Sequence, residues 1–211
     1  MATSFLVDGP ETAKVTLLIA HGAGAAMDSP SMTLFAEAFG AAGLRVIRFE
    51  FGYMAARREG HRRPPPRAEK LIGEFKSVVA EVDAQIPLLI GGKSMGGRVA
   101  SMAANDLYRE GKIAGLVCLG YPFHPPAKPT EIRTAHLEEL KTPALIFQGT
   151  RDPFGTQDEV VKYNLSNRIE IVWMGDGDHD LKPRKKTTGA TAADYAAIAA
   201  GKVADWAGRL E

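Results

Sequence analysis

The chain has 211 residues, a length that suits one α/β domain with a single core over residues 1–211. Its hydrophobic fraction of 45% and charged fraction of 24% are typical of globular proteins, and its formal net charge of +1 argues against binding to nucleic acid. No apolar run is long enough to span a bilayer, and the amino terminus lacks the pattern of a secretory signal. We therefore expect no membrane partner and a cytoplasmic location, which also fits the single cysteine, Cys118.

Short apolar runs alternate with amphipathic stretches along the chain. Six runs are apolar along most of their length, as expected for parallel strands with helices on both faces; they are residues 15–20, 44–49, 87–90, 113–119, 144–147 and 169–173. Helices are expected at residues 29–43, 71–82, 95–109, 156–164 and 195–210. This order predicts an α/β three-layer sandwich around a doubly wound, mainly parallel sheet of about six or seven strands.

Two segments read as irregular, residues 52–67 and residues 121–130. Both follow strands, so both should lie at the carboxyl edge of the sheet, where open α/β folds place their ligand sites. Neither is long enough for a large helical lid. An open or shallow site is therefore expected.

The most informative motif is Gly-x-Ser-x-Gly at residues 92–96, between an apolar strand and a helix. A strand that turns sharply into a helix strains the residue at the apex, and its neighbours two before and two after must be small. Ser94 would be left exposed beside a helix amino terminus, which favours the negative charge of an oxyanion. A phosphate-binding loop is the alternative, because Gly92, Lys93 and Ser94 resemble its end. The phosphate-binding pattern also requires a glycine five positions before Gly92, where this chain has Pro87, so we reject this alternative.

Small residues also follow the first strong strand, in His-Gly-x-Gly at residues 21–24. This pattern predicts an oxyanion loop whose backbone N–H groups face the nucleophile. Met95 should supply one N–H and Ala23 the other, with Gly24 as the neighbouring candidate. His21 is expected to brace the loop rather than to act as a base.

The base must be one of five histidines. His179 is favoured, because it follows the last strand and gives the chain order serine, acid, histidine. His124 is a weaker second choice and a candidate substrate contact. His61 lies in an arginine-rich loop, and His136 lies in a polar stretch that predicts a surface helix.

The acid is expected after the strand that precedes the last one, where Asp152 stands. Asp176, Asp178 and Asp180 are near His179 in sequence, but they are typical of loop-forming and capping aspartates. In this prediction Ser94 attacks a carbonyl, His179 moves the proton, and Asp152 orients the imidazole. The chemistry requires no cofactor, and no metal-ligand spacing is found.

Five stretches carry a resemblance to a known family: residues 21–25, 91–98, 120–126, 148–155 and 176–181. With these motifs the chain resembles the α/β-hydrolase superfamily, in the small branch related to dienelactone hydrolase. It is most similar to a group of predicted serine hydrolases of unassigned substrate, some thought to act as interaction modules. The resemblance implies the α/β-hydrolase fold and the triad Ser94, Asp152 and His179. Dienelactone hydrolase itself has a cysteine where this chain has Ser94.

The loops at the predicted carboxyl edge suggest what the site binds. Tyr121, Phe123 and His124 are the candidate substrate contacts. These loops also hold basic residues, which would form a positive rim if they converge: Arg57, Arg58, Arg62, Arg63, Arg67, Lys128, Lys182, Arg184, Lys185 and Lys186. We therefore hypothesise an anionic substrate or docking partner. The alternative is that these are solvated loop charges.

Three functions are compatible with these residues. The first is a hydrolase of small ester or thioester substrates, acting as a monomer or homodimer. The second is a catalytically silent, hydrolase-like protein-interaction module. The third is an acyltransferase with the same triad and a different acceptor. The complete triad and the oxyanion glycines favour the first.

Overall fold

The computed structural model describes residues 3–61, 63–82, 84 and 87–210. In these residues one sheet has seven strands in the order β1-β3-β2-β4-β5-β6-β7. The strands are β1 Phe5–Asp8, β2 Thr16–Ala20, β3 Arg45–Phe49, β4 Leu88–Lys93, β5 Gly115–Leu119, β6 Ala144–Gly149 and β7 Ile169–Met174. All neighbouring pairs are parallel except β1 and β3, which are antiparallel.

The helices lie between the strands, as the alternation predicts. They are α1 Pro30–Ala41, α2 Gly52–Arg58, α3 Ile72–Glu81, α4 Met95–Arg109, α5 Ala135–Glu138, α6 Gln157–Val160, α7 Lys185–Thr188 and α8 Ala192–Ala207, with a 3-10 turn at Ala68–Leu71. Within the described part of the chain, no helix has the length and apolarity needed to cross a membrane.

Two hydrophobic clusters occupy the two faces of the sheet. On one face the sheet packs against α3 and α4, with Phe75 and Val99 among the buried residues. On the other it packs against α1 and α8, with Phe39 and Val203 buried. The central strands are covered on both sides, which is why they are buried along their whole length and mostly apolar rather than alternating.

Several elements differ from the sequence-based expectation. Helix α6 covers Gln157–Val160 instead of residues 156–164, and neither α7 nor the 3-10 turn was predicted. Strand β1 was not predicted, because it has four residues and belongs to the edge of the sheet, where burial imposes only a weak pattern. Helix α2 lies inside a segment that was expected to be irregular, and it buries Tyr53 and Met54. The six predicted strands are all present, and their bounds agree with the prediction to within two residues, except that β4 ends at Lys93, three residues later than predicted.

The carboxyl ends of the parallel strands meet at one edge of the sheet. The loops after β2, β4, β5, β6 and β7 therefore come together there, although they are far apart in sequence. They begin at residues 21, 94, 120, 150 and 175. The predicted nucleophile, acid, base and oxyanion loop all start from this edge.

His136 departs from its predicted surface position. It lies on α5, but its imidazole is turned inward, with Nε2 at 2.8 Å from Ser101 Oγ and 3.3 Å from Tyr121 Oη. Burial, with a smaller contribution from the nearby Arg98 cation, lowers the pKa of His136 from 6.5 to about 4. The expectation of an exposed histidine is therefore wrong. The residues around His136 are polar, and the sequence does not show that this one side chain points into the protein.

This histidine should make the stability of the protein depend on pH. Between pH 6.5 and about 4 the unfolded chain binds a proton that the folded protein does not, so the free energy of unfolding should fall as the pH is lowered through this window. Urea denaturation at several pH values measures this loss. His136→Gln should show a smaller loss over the same window. An identical pH dependence in wild type and variant would contradict the assignment.

Candidate active site

The turn after β4 places Ser94 in an unusual backbone conformation. Its φ is 51° and its ψ is −118°, and α4 begins at the next residue, Met95. A non-glycine residue with positive φ is uncommon and persists only where the surrounding structure imposes it. The strain predicted from the sequence at the apex of this turn is present.

The two glycines of the motif are required by close packing. A Cβ on Gly92 would lie 2.5 Å from the carbonyl oxygen of Ala20, and a Cβ on Gly96 would lie 2.6 Å from that of His21. Real Cβ atoms do not approach backbone oxygens so closely. The start of α4 is therefore pressed against the end of β2, and only glycine fits at both positions.

Ser94, His179 and Asp152 form a continuous hydrogen-bonded chain. His179 Nε2 is 2.8 Å from Ser94 Oγ, and His179 Nδ1 is 2.8 Å from Asp152 Oδ2. Asp152 is fully buried and also accepts hydrogen bonds from Gln148 Nε2 at 2.9 Å and the Phe154 N–H at 2.8 Å. The structure thus brings together the three residues predicted as a triad, and their catalytic roles stay predictions.

The three aspartates near His179 have other partners, as expected for loop residues. Asp178 accepts hydrogen bonds from the N–H groups of Asp180 and Lys182. Asp176 forms an ion pair with Arg184. None of the three contacts His179 Nδ1, which is bonded to Asp152.

The predicted oxyanion loop lies beside Ser94. Ala23 and Met95 border the same cavity as Ser94, and neither N–H donates to an acceptor among the described residues. A Cβ on Gly22 would be 3.7 Å from Ser94 Cβ, so this loop packs directly on the serine. Gly24 borders a neighbouring cavity instead, which makes Ala23 the better placed of the two candidates.

Two side chains hold this loop by its carbonyl groups. His21 Nδ1 is 2.7 Å from the carbonyl oxygen of Gly22, and its Nε2 accepts from the Phe51 N–H at 3.2 Å. Tyr53 Oη donates to the carbonyl oxygen of Ala23 at 3.0 Å. Because a trans peptide points its C=O and N–H in opposite directions, fixing the Gly22 carbonyl also fixes the Ala23 N–H. Burial lowers the pKa of His21, which keeps it neutral as a brace.

A cavity of about 570 Å³ opens in front of Ser94. Its apolar wall includes Pro122 and Phe154, and the ring of Phe154 stacks on that of His179 at 4.1 Å. The sequence analysis missed both residues. Pro122 lies within the predicted rim, but nothing in the sequence distinguishes it from its neighbours.

The predicted substrate contacts are not on the wall of this cavity. Tyr121 and Phe123 are fully buried, and their rings pack on each other at 4.8 Å within the core. His124 is also buried, with Nδ1 3.0 Å from the Pro125 carbonyl oxygen and Nε2 3.5 Å from Glu159. The prediction that these three residues contact the substrate is therefore wrong, because their side chains turn into the core. Of residues 121–124, only Pro122 borders the cavity.

The predicted positive rim converges only in part. Arg67 borders the cavity, whereas Arg57 and Arg63 border the neighbouring one. Other members are neutralised by acids: Arg58 by Glu50 and Asp28, Arg184 by Asp176, and Lys128 by Glu131. Arg62 lies outside the described residues, and Lys182, Lys185 and Lys186 are not on the cavity wall. Two other arginines, Arg98 and Arg133, are on the wall and were not predicted.

Lys93, the residue before Ser94, connects the loop that bears His179 to the sheet. Its Nζ is 2.6 Å from Asp180 Oδ1 and 3.3 Å from the carbonyl oxygen of His179. The same carbonyl packs on Gly120, where φ is 63° and a Cβ would lie 2.5 Å from the oxygen. The position of His179 is therefore set by contacts to β4 and to the end of β5.

Replacing Lys93 by methionine should loosen this loop without leaving a buried charge, because the Asp180 side chain is 63% exposed. Amide hydrogen exchange in residues 178–182 should become several-fold faster. Lys202→Met, which removes an exposed ion pair with Glu170, is the matched control and should leave that exchange unchanged. Equal exchange in Lys93→Met and wild type would show that Lys93 does not hold the loop.

The model of the alpha/beta hydrolase domain family matches residues 13–208 of the chain. Among solved structures, a lid-less α/β serine hydrolase from Xanthomonas campestris is similar, with a TM-score of 0.73, 21% identity, and coverage of 97% of this chain and 89% of that one. An α/β serine hydrolase homologue from Coxiella burnetii has a TM-score of 0.72, 20% identity, and coverage of 94% and 90%. Dienelactone hydrolase from Anabaena variabilis has a TM-score of 0.70, 21% identity, and coverage of 99% and 92%.

At identities of about 20% the solved structures show the fold alone. The family model matches most of the chain and therefore shows the family. The predicted fold class and the resemblance to the branch of dienelactone hydrolase are both confirmed. The chain therefore belongs to the α/β-hydrolase family.

Proposed function

We propose that the protein is a serine hydrolase that cleaves the ester or thioester bond of a small substrate. The observation that carries this proposal is the uninterrupted path from Ser94 Oγ through both nitrogens of His179 to Asp152, with 2.8 Å at each step. The path begins at a cavity bordered by two backbone N–H groups without partners among the described residues. Nucleophile, base, orienting acid and oxyanion donors are the parts that acyl transfer needs.

In the first half of the reaction Ser94 Oγ attacks the carbonyl carbon, and its proton passes to His179 Nε2. The negative charge that develops on the substrate oxygen accepts hydrogen bonds from the N–H groups of Ala23 and Met95. Asp152 stabilises the imidazolium through Nδ1. When the tetrahedral intermediate collapses, His179 gives the proton to the leaving alcohol or thiol, and an acyl group stays on Ser94.

In the second half water takes the place of the leaving group. His179 removes a proton from water, the resulting hydroxide attacks the acyl carbon, and the oxyanion forms against the same two N–H groups. Collapse releases the carboxylic acid and returns the proton to Ser94 Oγ. The strained backbone at Ser94 keeps Oγ at the cavity through both halves.

The names of similar proteins support ester chemistry. Two of the similar structures are described as serine hydrolases or homologues of them, and a third as a dienelactone hydrolase; a lactone is a cyclic ester. A silent interaction module has no need for an aligned triad, so the geometry favours an enzyme. An acyltransferase would share every group and differ only in its acceptor. Location in the cytoplasm and assembly as a monomer or homodimer stay predictions.

A fluorophosphonate probe tests the nucleophile. The wild-type protein should be labelled, because the probe reacts with an activated serine and its phosphoryl oxygen fits the oxyanion site. Ser94→Ala should abolish labelling, which mass spectrometry of the intact protein measures. Ser77→Ala, on the exposed side of α3, is the control and should be labelled like wild type. Absence of labelling in the wild type would defeat the proposal.

Asp152→Asn tests the acid. Asparagine retains the shape but can present an N–H to His179 Nδ1, which would leave the imidazole in the wrong tautomer. We expect kcat for a p-nitrophenyl ester to fall by about 10²–10⁴-fold with little change in KM. Asp158→Asn, on the exposed side of α6, should retain activity. A kcat within twofold of wild type would show that Asp152 does not serve the base.

A further inference from the structure

The charged part of the cavity wall consists of three arginines and two glutamates: Arg67, Arg98, Arg133, Glu69 and Glu131. Arg98 lies one helical turn beyond the candidate nucleophile, because its N–H bonds to the carbonyl oxygen of Ser94 at 3.0 Å. Arg133 enters the same cavity from the loop that follows β5. Two cations from separate segments thus face one space beside Ser94.

The charges of these two arginines are only partly compensated. Arg98 Nη2 is 2.5 Å from Glu69 Oε1, but its Nε is buried and has no acceptor among the described residues. The guanidinium of Arg133 has no described carboxylate within ion-pair distance. Burial and the nearby Arg98 cation lower the pKa of Arg133, as expected where two positive groups share a partly desolvated space.

A buried network holds the two arginines in position. Ser101 Oγ donates to the carbonyl oxygen of Arg98 at 2.8 Å, and Tyr121 Oη donates to that of Arg133 at 3.2 Å. Both hydroxyl groups also lie beside Nε2 of His136, at 2.8 and 3.3 Å. The backbones of the two arginines are therefore linked through one neutral imidazole. Such bracing is what a preorganised binding site requires.

We propose that Arg98 and Arg133 form a subsite for a carboxylate on the substrate, so that the preferred substrate is a small ester or thioester bearing one negative charge near its reacting carbonyl. This inference rests on the proposed function. Guanidinium groups bind carboxylates through paired, charge-assisted hydrogen bonds. Glu69 holds one arginine in the free protein, and its side chain is 54% exposed, so the substrate carboxylate can displace it into solvent.

The chemistry of the wall favours a carboxylate over a phosphate. The carboxylate of Glu69 already occupies Arg98, with Oε1 2.5 Å from Nη2, so a substrate carboxylate replaces a group of its own shape and charge, whereas a dianionic phosphate differs in both. Ser94 and Arg98 border the same cavity, and the Arg98 N–H donates to the Ser94 carbonyl oxygen at 3.0 Å. A carboxylate on Arg98 is therefore near the carbon attacked by Ser94, which suits a short dicarboxylic half-ester.

The test compares two esters that differ in one charge: mono(4-nitrophenyl) glutarate and its neutral methyl ester. Wild type should favour the acid in kcat/KM by about tenfold or more, since a hydrogen bond to a charged group contributes that much. Arg133→Gln and Arg98→Gln should each reduce this preference by about tenfold, mainly through KM. Arg109→Gln removes an equal charge from the far end of α4, where its side chain is 74% exposed, and should leave the preference intact.

Glu69→Gln should change the preference for the acid in the opposite direction. It removes the carboxylate that competes for Arg98, so the preference for the acid should increase several-fold. Arg98 is largely buried, so a lower activity of Arg98→Gln can also reflect a less stable fold. Arg133 is half-buried in a loop, and Arg133→Gln is therefore the variant that decides the test. A stronger preference for a phosphate-bearing ester than for the glutarate would overturn the choice of a carboxylate.

The two levels of the proposal fail differently. If both esters are hydrolysed but wild type shows no preference, or if Arg133→Gln retains the preference, the subsite is refuted and the hydrolase remains. If neither ester is hydrolysed and the fluorophosphonate probe does not label Ser94, the proposed function itself is refuted.

Discussion

The site depends on one constraint, the tight bend between β4 and α4. Ser94 has positive φ only because Gly92 and Gly96 let α4 approach the end of β2 to within backbone contact. That approach places the serine hydroxyl above the edge of the sheet, and the first N–H of α4 finds no acceptor in the part of the chain that the structure describes. It also brings the loop after β2 against the serine. A methyl group at either glycine would force α4 and β2 apart, so the same close packing positions both Ser94 and the N–H groups proposed as oxyanion donors.

The other half of the site depends on contacts between distant segments. His179 comes from the loop after β7, but its carbonyl is fixed by Lys93 and by the close approach of Gly120. Asp152 in turn is fixed by Gln148 and by the backbone of Phe154. Each member of the hydrogen-bonded chain is thus positioned by residues on a different strand end. A sheet of parallel strands provides this convergence, because all those ends lie at one edge.

Sequence patterns predicted what is local. The strand before Ser94, the helix after it and the glycine spacing follow from backbone sterics, and the expected order of serine, acid and histidine selected Asp152 and His179, which the structure brings together with Ser94. What depends on side-chain direction could not be predicted. Tyr121 and Phe123 are aromatic residues in a loop at the active edge, yet both turn into the core. Arg98 and Arg133 are separated by 35 positions, and only the fold shows that they face one cavity.

The prolines around the cavity have a consequence for how a ligand is received. Pro65, Pro66 and Pro122 form part of the wall, and each has its φ locked by the pyrrolidine ring. A wall made of such residues loses little backbone entropy when a ligand settles against it. A ligand therefore enters a cavity whose backbone is largely preformed, without a loop closing over it. Selection among ligands then depends on the shape and charge that the wall has before the ligand binds.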